Sequence, residues 1–165
     1  MSVPIDAATL LPTFDRSVHS EEGACIAELV DELLRLHGRV MNNQKSTQLG
    51  SSTQAFVLAA VVLAQEPPTV ARIARSLGFT RQAIQKVADV LESEGYVLYA
   101  DNPHHKRSRQ LLATEQGRQV YDQVNRESVE WTNQAAQGLE SSDLQLTLQV
   151  LRRVRKNLEA YAEKN

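Results

Sequence analysis

The chain contains one cysteine, Cys25, so it cannot form an internal disulfide bond. Its N-terminal segment lacks the basic region followed by an apolar region that marks a secretory signal peptide. The longest apolar run, residues 55–64, is about half of the roughly 20 residues that a membrane span needs. These absences predict a cytoplasmic protein that makes no contact with a membrane.

Aromatic residues are scarce, at 5% of the chain, so the core must consist mainly of Leu, Val, Ile and Ala, which suits helices. The sequence also lacks a Gly-rich phosphate loop, a metal-ligand spacing and a nucleophile motif. We therefore expect no enzymatic activity and no cofactor. The length of 165 residues predicts a single domain that can bury a core without disulfides or metals.

The net charge is small, −2, but it is unevenly distributed along the chain. Residues 69–109 contain seven basic and four acidic side chains, a local charge of +3, and also His104 and His105. The rest of the chain, with eleven basic and sixteen acidic side chains, carries −5. A positive segment on a negative body directs one face toward phosphate, which is typical of a nucleic-acid-binding protein.

The positive segment begins with the pattern of two short helices joined by a tight turn. Thr69 and Thr80 are candidate N-caps of residues 70–77 and 81–94, whose apolar side chains recur at helical spacing. A glycine follows each helix, where a left-handed residue commonly ends one. This pattern predicts a helix-turn-helix.

A predicted β-hairpin follows the second short helix. Residues 96–99 and 109–113 have the residue types of strands, and they flank a polar, basic tip at residues 101–108. The order of helix, turn, helix, strand, basic loop and strand is the outline of a winged helix-turn-helix. The fold class we predict is therefore mainly α with a small β-hairpin wing.

Four further helices are predicted outside this segment. They are residues 21–43 after a cap at Ser20, a nearly all-apolar helix from Ser51 or Ser52 to before Pro67, residues 115–137 after a cap at Thr114, and a last helix capped by Ser141 or Ser142. The first and the last two have more apolar surface than a small core can cover. We therefore assign residues 20–42 and 115–165 to dimerisation and residues 50–114 to a DNA-binding lobe within one domain, with residues 1–18 as a partly ordered arm.

The start of the second short helix carries side chains that read DNA bases. Arg and Lys recognise guanine in the major groove, and Gln recognises adenine. Hydroxyl groups at helix N-termini suit phosphate contacts, and a slim hairpin that carries Arg can enter the minor groove. Helical spacing predicts one outward reading face, and we expect Arg107 in the minor groove. The predicted DNA-binding residues are Thr69, Thr80, Arg81, Gln82, Gln85, Lys86, Lys106, Arg107 and Arg109.

Several segments resemble the MarR family of bacterial transcription regulators. The matching pieces are TVARIARSLGFTRQAIQKVADVLESEGYV, NPHHKRSRQLLATEQG, and Leu49, Gln54, Val57 and Leu58. The similarity extends over about residues 22–162, and the spacing from the two basic residues of the tip to Thr114 and Gly117 is that of the family's wing. Two positions depart from the family pattern: His105 stands where an acidic residue is usual, and Ala113 where an aliphatic one is more common.

The resemblance implies a homodimer that binds a pseudo-palindromic double-stranded operator, with its two reading helices one DNA turn apart. It also implies repression that a small effector relieves, frequently an aromatic or phenolic anion bound between the dimer helices and the DNA-binding lobe. His37, Met41 and Phe56 are our candidates for the effector pocket.

Other interpretations of single residues stay open at this point. Cys25 is either a packed cysteine or a redox sensor, although the neighbouring Glu21, Glu22 and Glu28 oppose a thiolate. His37 suits a helix interface as well as a pocket. Three aromatic residues suit either an effector contact or a dimer core: Tyr121, Trp131 and Tyr161. A winged-helix module that binds other proteins rather than DNA is the alternative function.

Overall fold

The computed structural model describes residues 10–43, 49–103 and 108–162, with the side chains of residues 41–43 excepted. A short 3₁₀ helix, Arg16–Val18, comes first. It is followed by α1 (Glu21–Asn43), α2 (Ser52–Val62), α3 (Val70–Leu77), α4 (Arg81–Ser93), β1 (Val97–Ala100), β2 (Gln110–Ala113), α5 (Glu115–Ala135) and α6 (Ser141–Ala162). This order confirms the predicted helical fold with a small hairpin.

The core lies where α2, α3 and α4 meet the hairpin and the start of α5. α2 is apolar on nearly every side because it is central, and its Val57 and Leu58 are fully buried. Ile84 and Leu91 of α4 and Leu111 of β2 pack into the same cluster. Burial of each large aliphatic side chain contributes about 1.5–3 kcal/mol, so this cluster fixes α4 relative to the hairpin.

Local signals set the ends of the short helices as predicted. The Thr69 hydroxyl oxygen accepts a hydrogen bond from the Arg72 amide at 3.2 Å, and the Thr80 hydroxyl oxygen accepts one from Ala83 at 3.2 Å. Gly78 ends α3 with a φ of 74°, a left-handed conformation that side chains with a Cβ rarely adopt. The sequence therefore determines the turn between α3 and α4 locally.

The starts of β1 and α6 differ from the predictions. β1 begins at Val97 rather than residue 96, because the Tyr96 amide still donates to the Leu91 carbonyl at 2.9 Å and belongs to the exit of α4. The prediction that Ser141 or Ser142 caps the last helix is wrong. Ser141 is already the first residue of α6, and the Glu140 carbonyl accepts from the amide of Leu144 at 3.2 Å.

The hairpin is antiparallel and is tied to the start of α3. Val97 pairs with Ala113, and Ala100 pairs with Gln110, so β2 begins one residue later than predicted. The Leu111 amide donates to the Pro68 carbonyl at 2.8 Å, which adds the chain before α3 to the edge of β2. The wing base and the helix-turn-helix are therefore one hydrogen-bonded unit.

Large apolar surfaces remain exposed on α1 and α6. In α6 no residue is buried in the isolated chain, and Leu148 is 49% exposed. In α1, Leu34 is 66% exposed. Exposed apolar faces of this extent are typical of surfaces that another molecule covers. Within the described ranges, no helix is long and apolar enough to cross a membrane.

The segment before α1 folds back onto that helix. The Arg35 guanidinium donates to the Leu11 carbonyl at 2.8 Å and to the Asp31 carboxylate at 2.7 Å. Arg16 pairs with Glu28. Leu11 and Arg16 of the predicted arm, residues 1–18, therefore contact the α1 of their own chain, while residues 1–9 are outside the described residues.

The start of α5 approaches the backbone of Tyr96 so closely that only glycine fits. A Cβ added at Gly117 would lie 2.0 Å from the Tyr96 carbonyl oxygen, and the neighbouring contacts are also backbone atoms, which cannot rotate away. Gly117 is buried in the first turn of α5. Glycine at this position therefore allows α5 to pack directly against the start of the wing.

We predict that Gly117→Ala destabilises the protein by about 3 kcal/mol, because the added methyl group must push the wing away from α5. Urea unfolding followed by circular dichroism measures the change. Gly38→Ala is the matched control, since a Cβ there has no atom within 4 Å, and it should stabilise α1 by about 0.5–1 kcal/mol. Equal unfolding free energies for the two variants would contradict the close approach.

Candidate nucleic-acid interface and the adjoining cavity

The exposed face at the start of α4 presents Arg81, Gln82 and Lys86. All three side chains are exposed, and the spacing of four residues places Gln82 and Lys86 on one side of the helix. α4 is 13 residues long, which makes it about 20 Å in length and suitable for the major groove. These three side chains are exposed on the outward face, as predicted from the helical spacing, and their base contacts stay a prediction.

Thr69 and Thr80 use their hydroxyl oxygens as hydrogen-bond acceptors in the two caps. The hydroxyl hydrogen of each side chain is a separate donor. A phosphate oxygen at either helix N-terminus therefore meets the hydroxyl, backbone amides and the positive end of the helix dipole. The caps that build the helices are thus also suited to the phosphate contacts predicted for them.

Gln85 does not point outward, which corrects the predicted reading face. Its side chain is half-buried, and its Nε2 donates to Asp89 Oδ1 at 2.7 Å and to the Tyr99 hydroxyl at 2.6 Å. The Tyr99 hydroxyl donates to the same Asp89 oxygen at 2.8 Å. The reason is tertiary: β1 packs against this side of α4 and brings Tyr99 within reach of Gln85. Gln85 therefore holds α4 to the wing.

Arg109 lies at the base of the wing, where Tyr99 positions it. Its NH2 group donates to the Tyr99 carbonyl at 3.0 Å, and its guanidinium carbon lies 4.7 Å from the centre of the Tyr99 ring. This arrangement combines a hydrogen bond with a cation–π contact. Arg109 remains exposed, so its charge is held beside α4. Lys106 and Arg107 lie outside the described residues, and their DNA contacts stay predictions.

The environment of Tyr99 raises the pKa of its hydroxyl from 10.0 to about 12. Partial burial is the largest cause, and the hydrogen bond to Asp89 and the negative charge of that carboxylate act in the same direction, whereas Gln85 acts against them. The hydroxyl therefore stays protonated and can keep donating to Asp89 at any physiological pH.

Tyr99 and Asp89 are not among the residues that the sequence predicts for this site. One local signal exists, since Gln85 and Asp89 are four residues apart on a helix and can bond to each other. Tyr99 is fourteen residues from Gln85 and on a strand. Only the packing of β1 on α4 brings these two residues together.

A cavity of about 560 Å³ lies between α1, α2 and α5. Its walls are mostly apolar, and His37 of α1 and Phe56 of α2, two of the residues predicted for an effector pocket, line it. Effector binding there stays a prediction. The side chain of Met41 is outside the described residues. Tyr121 and Trp131 of α5 also line the cavity, so both lie where an effector would contact them. A volume of this size is common for small-molecule sites.

The cavity and the reading helix share α2 as a common wall. Phe56 faces the cavity, and its neighbours Val57 and Leu58 are buried in the cluster that also contains Ile84 of α4. A displacement of α2 by a molecule in the cavity would therefore reach α4 through a close-packed core, which transmits strain.

One protein-family model matches the part of the chain that contains the helix-turn-helix. The model of the MarR family matches residues 50–108 of this chain. The protein Rv2011c of Mycobacterium tuberculosis (strain ATCC 25618 / H37Rv) is 32% identical over 130 residues, which are 78% of this chain and 91% of that protein.

Solved structures of transcriptional regulators share the fold. PcaV of Streptomyces coelicolor, solved with its natural ligand, has a TM-score of 0.70 and 20% identity, and covers 88% of this chain and 98% of that chain. BpsR of Bordetella bronchiseptica, whose DNA binding is regulated by 6-hydroxynicotinic acid, has a TM-score of 0.69 and 15% identity, and covers 79% of this chain and 92% of that chain. At these identities the likeness shows the fold.

We predict that Tyr99→Phe removes one tyrosine ionisation, the one near pH 12, from the alkaline absorbance titration of the protein. The folded pKa is above the ordinary value, so the stabilisation from this hydroxyl is complete below pH 10 and is lost as pH rises toward 12. Absorbance titration measures the component, and urea unfolding near neutral pH should show a loss of about 1 kcal/mol in the variant. A late component that survives Tyr99→Phe would contradict the assignment.

Proposed function

Because this chain belongs to the MarR family of transcription regulators, we propose that it is a homodimeric repressor that binds a pseudo-palindromic operator and leaves it when a small molecule fills the α1–α2–α5 cavity. The observation that carries the proposal is the polar, basic face of α4, fixed to the wing by the contacts of Tyr99 with Gln85, Asp89 and Arg109. A reading helix and wing held at one angle suit a duplex of fixed geometry.

In this proposal, direct base reading comes from Arg81, Gln82 and Lys86. Their side chains are exposed at the start of α4, which is the part of a recognition helix that reaches base edges. Thr69, Thr80 and Arg109 bind phosphates. Lys106 adds a further phosphate contact at the wing tip, and Arg107 enters the minor groove there. Gln85 acts through Tyr99, so we assign it to the positioning of α4.

The proposed dimer is formed by α1, α5 and α6. The exposed apolar faces of α1 and α6 support it, because water-exposed surfaces of this extent are costly unless another protein covers them. A two-fold axis through these helices would repeat α4 at one turn of DNA, about 34 Å away. The isolated lobe would bind only half of such an operator.

Release by an effector is supported by the position of the cavity. A ligand that binds the DNA-free arrangement better shifts the population away from the DNA-bound one, and only its differential affinity counts. The cavity suits this role because α2 separates it from the core residues that support α4. The effect of 6-hydroxynicotinic acid on BpsR is a precedent in a protein of the same fold.

We predict that Gln82→Ala weakens binding to the operator by about 1–3 kcal/mol and relaxes the sequence preference at one position in each half-site. The measurement is fluorescence anisotropy with the DNA upstream of the gene, at several salt concentrations. The dependence of affinity on salt falls when a phosphate contact is lost, so the salt series distinguishes a lost base contact from a lost phosphate contact.

We also predict that Arg107→Ala reduces the preference for A·T-rich flanking segments.

Arg126→Ala, an exposed arginine of α5 outside the proposed DNA-binding surface, is the control and should leave operator affinity unchanged. Absence of sequence-specific binding to any fragment of the upstream DNA would instead favour the alternative function, a module that binds other proteins.

We also predict that Leu148→Glu converts the dimer into monomers, because it places a charge within the apolar face of α6. Size-exclusion chromatography with light scattering gives the mass, and operator affinity should fall with it. Gln149→Glu adds the same charge to the adjacent exposed position and should leave the mass unchanged. A monomeric wild type, or a dimeric Leu148→Glu variant, would contradict the proposed interface.

A further inference from the structure

The contacts at the wing base use only part of the Asp89 carboxylate. Gln85 Nε2 donates to Asp89 Oδ1 at 2.7 Å, and the Tyr99 hydroxyl donates to the same oxygen at 2.8 Å. An ionised carboxylate has two oxygens with about four acceptor sites in total, and it donates no hydrogen bond. The two bonds therefore fix the orientation of the carboxylate and leave Oδ2 with capacity for another donor.

Helical spacing places Asp89 on the side of α4 that carries the proposed base-reading residues. Asp89 follows Gln82 by seven residues and Lys86 by three, and both spacings return to the same side of a helix. All three side chains are exposed, whereas Ile84 and Leu91, on the opposite side, are fully buried. The stripe from Gln82 to Asp89 is about 10 Å long, which is the rise of about three base pairs.

A fixed negative charge on a surface that approaches DNA restricts what that surface can bind. The carboxylate repels the phosphates of every duplex, whatever its sequence. A hydrogen bond from a base offsets this repulsion, and the base-edge donors in the major groove are the amino groups of cytosine and adenine. Adenine has the acceptor N7 beside its amino group, whereas cytosine presents its amino group alone, so a carboxylate favours cytosine.

We propose that Asp89 selects a cytosine in each half of the operator, with Oδ2 accepting a hydrogen bond from the cytosine N4 amino group in the major groove. This inference rests on the proposed function and adds a base preference to it. Oδ1 holds α4 to the wing, and Oδ2 reads the base. Thymine at the same place is rejected, because its O4 acceptor would face the carboxylate.

The test begins with the full-length wild type and a library of duplexes of randomised sequence, so that no operator has to be known in advance. Selection and sequencing give the preferred half-site, and fluorescence anisotropy on singly substituted duplexes gives the loss of affinity at each position. We expect one position in each half-site where replacing C·G with T·A weakens binding about tenfold or more.

A modified base tests the contact without changing the protein. N4-methylcytosine still pairs with guanine, but a methyl group replaces the amino hydrogen that faces the major groove. At the assigned position it should weaken binding of the wild type by about tenfold, as the thymine substitution does. A residue that reads the guanine of the same pair would be insensitive to this change, so the result identifies the amino group as the contact.

Asp89→Asn separates base reading from the contacts at the wing base. The variant keeps an oxygen that accepts from Gln85 and Tyr99, but it removes the charge and adds an amide that can donate. The loss on replacing C·G with T·A at the assigned position should fall to about threefold or less, because the amide can donate to thymine O4. Losses at the other positions should stay unchanged, and non-specific affinity should rise about two- to fivefold.

Glu92→Gln is the matched control for charge. Glu92 is an exposed carboxylate one turn further along α4, and it lines the space at the wing base with Arg81 and Arg109. It follows Gln85 by seven residues, so it lies toward the wing rather than on the reading side. Its replacement should raise non-specific affinity by a similar factor and leave every base preference in place.

Several results would overturn the inference. They are a wild type without such a cytosine position, full affinity of the wild type for the N4-methylcytosine duplex, and an Asp89→Asn variant that keeps the whole loss or changes affinity equally for all sequences. The two measurements on the wild type do not depend on how well a variant folds. Failure of the wild type to select any sequence refutes the proposed function as well, whereas sequence-specific binding with an unchanged Asp89→Asn profile refutes this inference alone.

Discussion

The junction around Tyr96 is the constraint on which the rest of the structure depends. The Tyr96 amide closes the exit of α4 on Leu91, and its carbonyl accepts from the Thr114 amide at 3.0 Å, where α5 begins. The Thr114 hydroxyl donates to Gly95 at 2.7 Å and accepts from the Gly117 amide at 3.0 Å. One short stretch therefore joins the reading helix, both strands and α5. The absence of a side chain at Gly117 allows the approach.

The positions of the candidate DNA-binding face and of the α1–α2–α5 cavity both follow from this junction. On one side, β1 leaves it at the angle that brings Tyr99 against α4, so that Gln85, Asp89 and Arg109 gather at the wing base. On the other side, α5 leaves it to form a wall of the cavity with Tyr121 and Trp131. α2 packs between the two surfaces. A displacement of α5 or α2 would therefore reach the elements that support α4.

A polar brace holds the base of the wing. The Tyr99 hydroxyl donates to Asp89, and Arg109 stacks on the same tyrosine ring. The brace therefore joins α4 directly to β1.

The sequence by itself determined the features that depend on neighbours within about four residues. The caps at Thr69, Thr80 and Thr114, the turn at Gly78 and the exposed positions of Arg81, Gln82 and Lys86 are local, because capping and helical phase involve only adjacent turns. The amphipathic patterns that predict α1 and α6 also depend only on local spacing. Ser141 shows the limit of such local signals. Ser141 and Ser142 are equally good caps by residue type, but α6 begins at Ser141 itself.

Tertiary structure decided the features that join distant segments. The sequence placed Gln85 on the reading face, but the packing of β1 brought Tyr99 to it from fourteen residues away. The cavity requires three helices at fixed separations, so the sequence could suggest His37 and Phe56 only singly. It could not show that the Trp131 indole N–H is buried without an acceptor among the described residues. Whether a polar group is buried and satisfied depends on everything packed around it, and no local pattern contains that information.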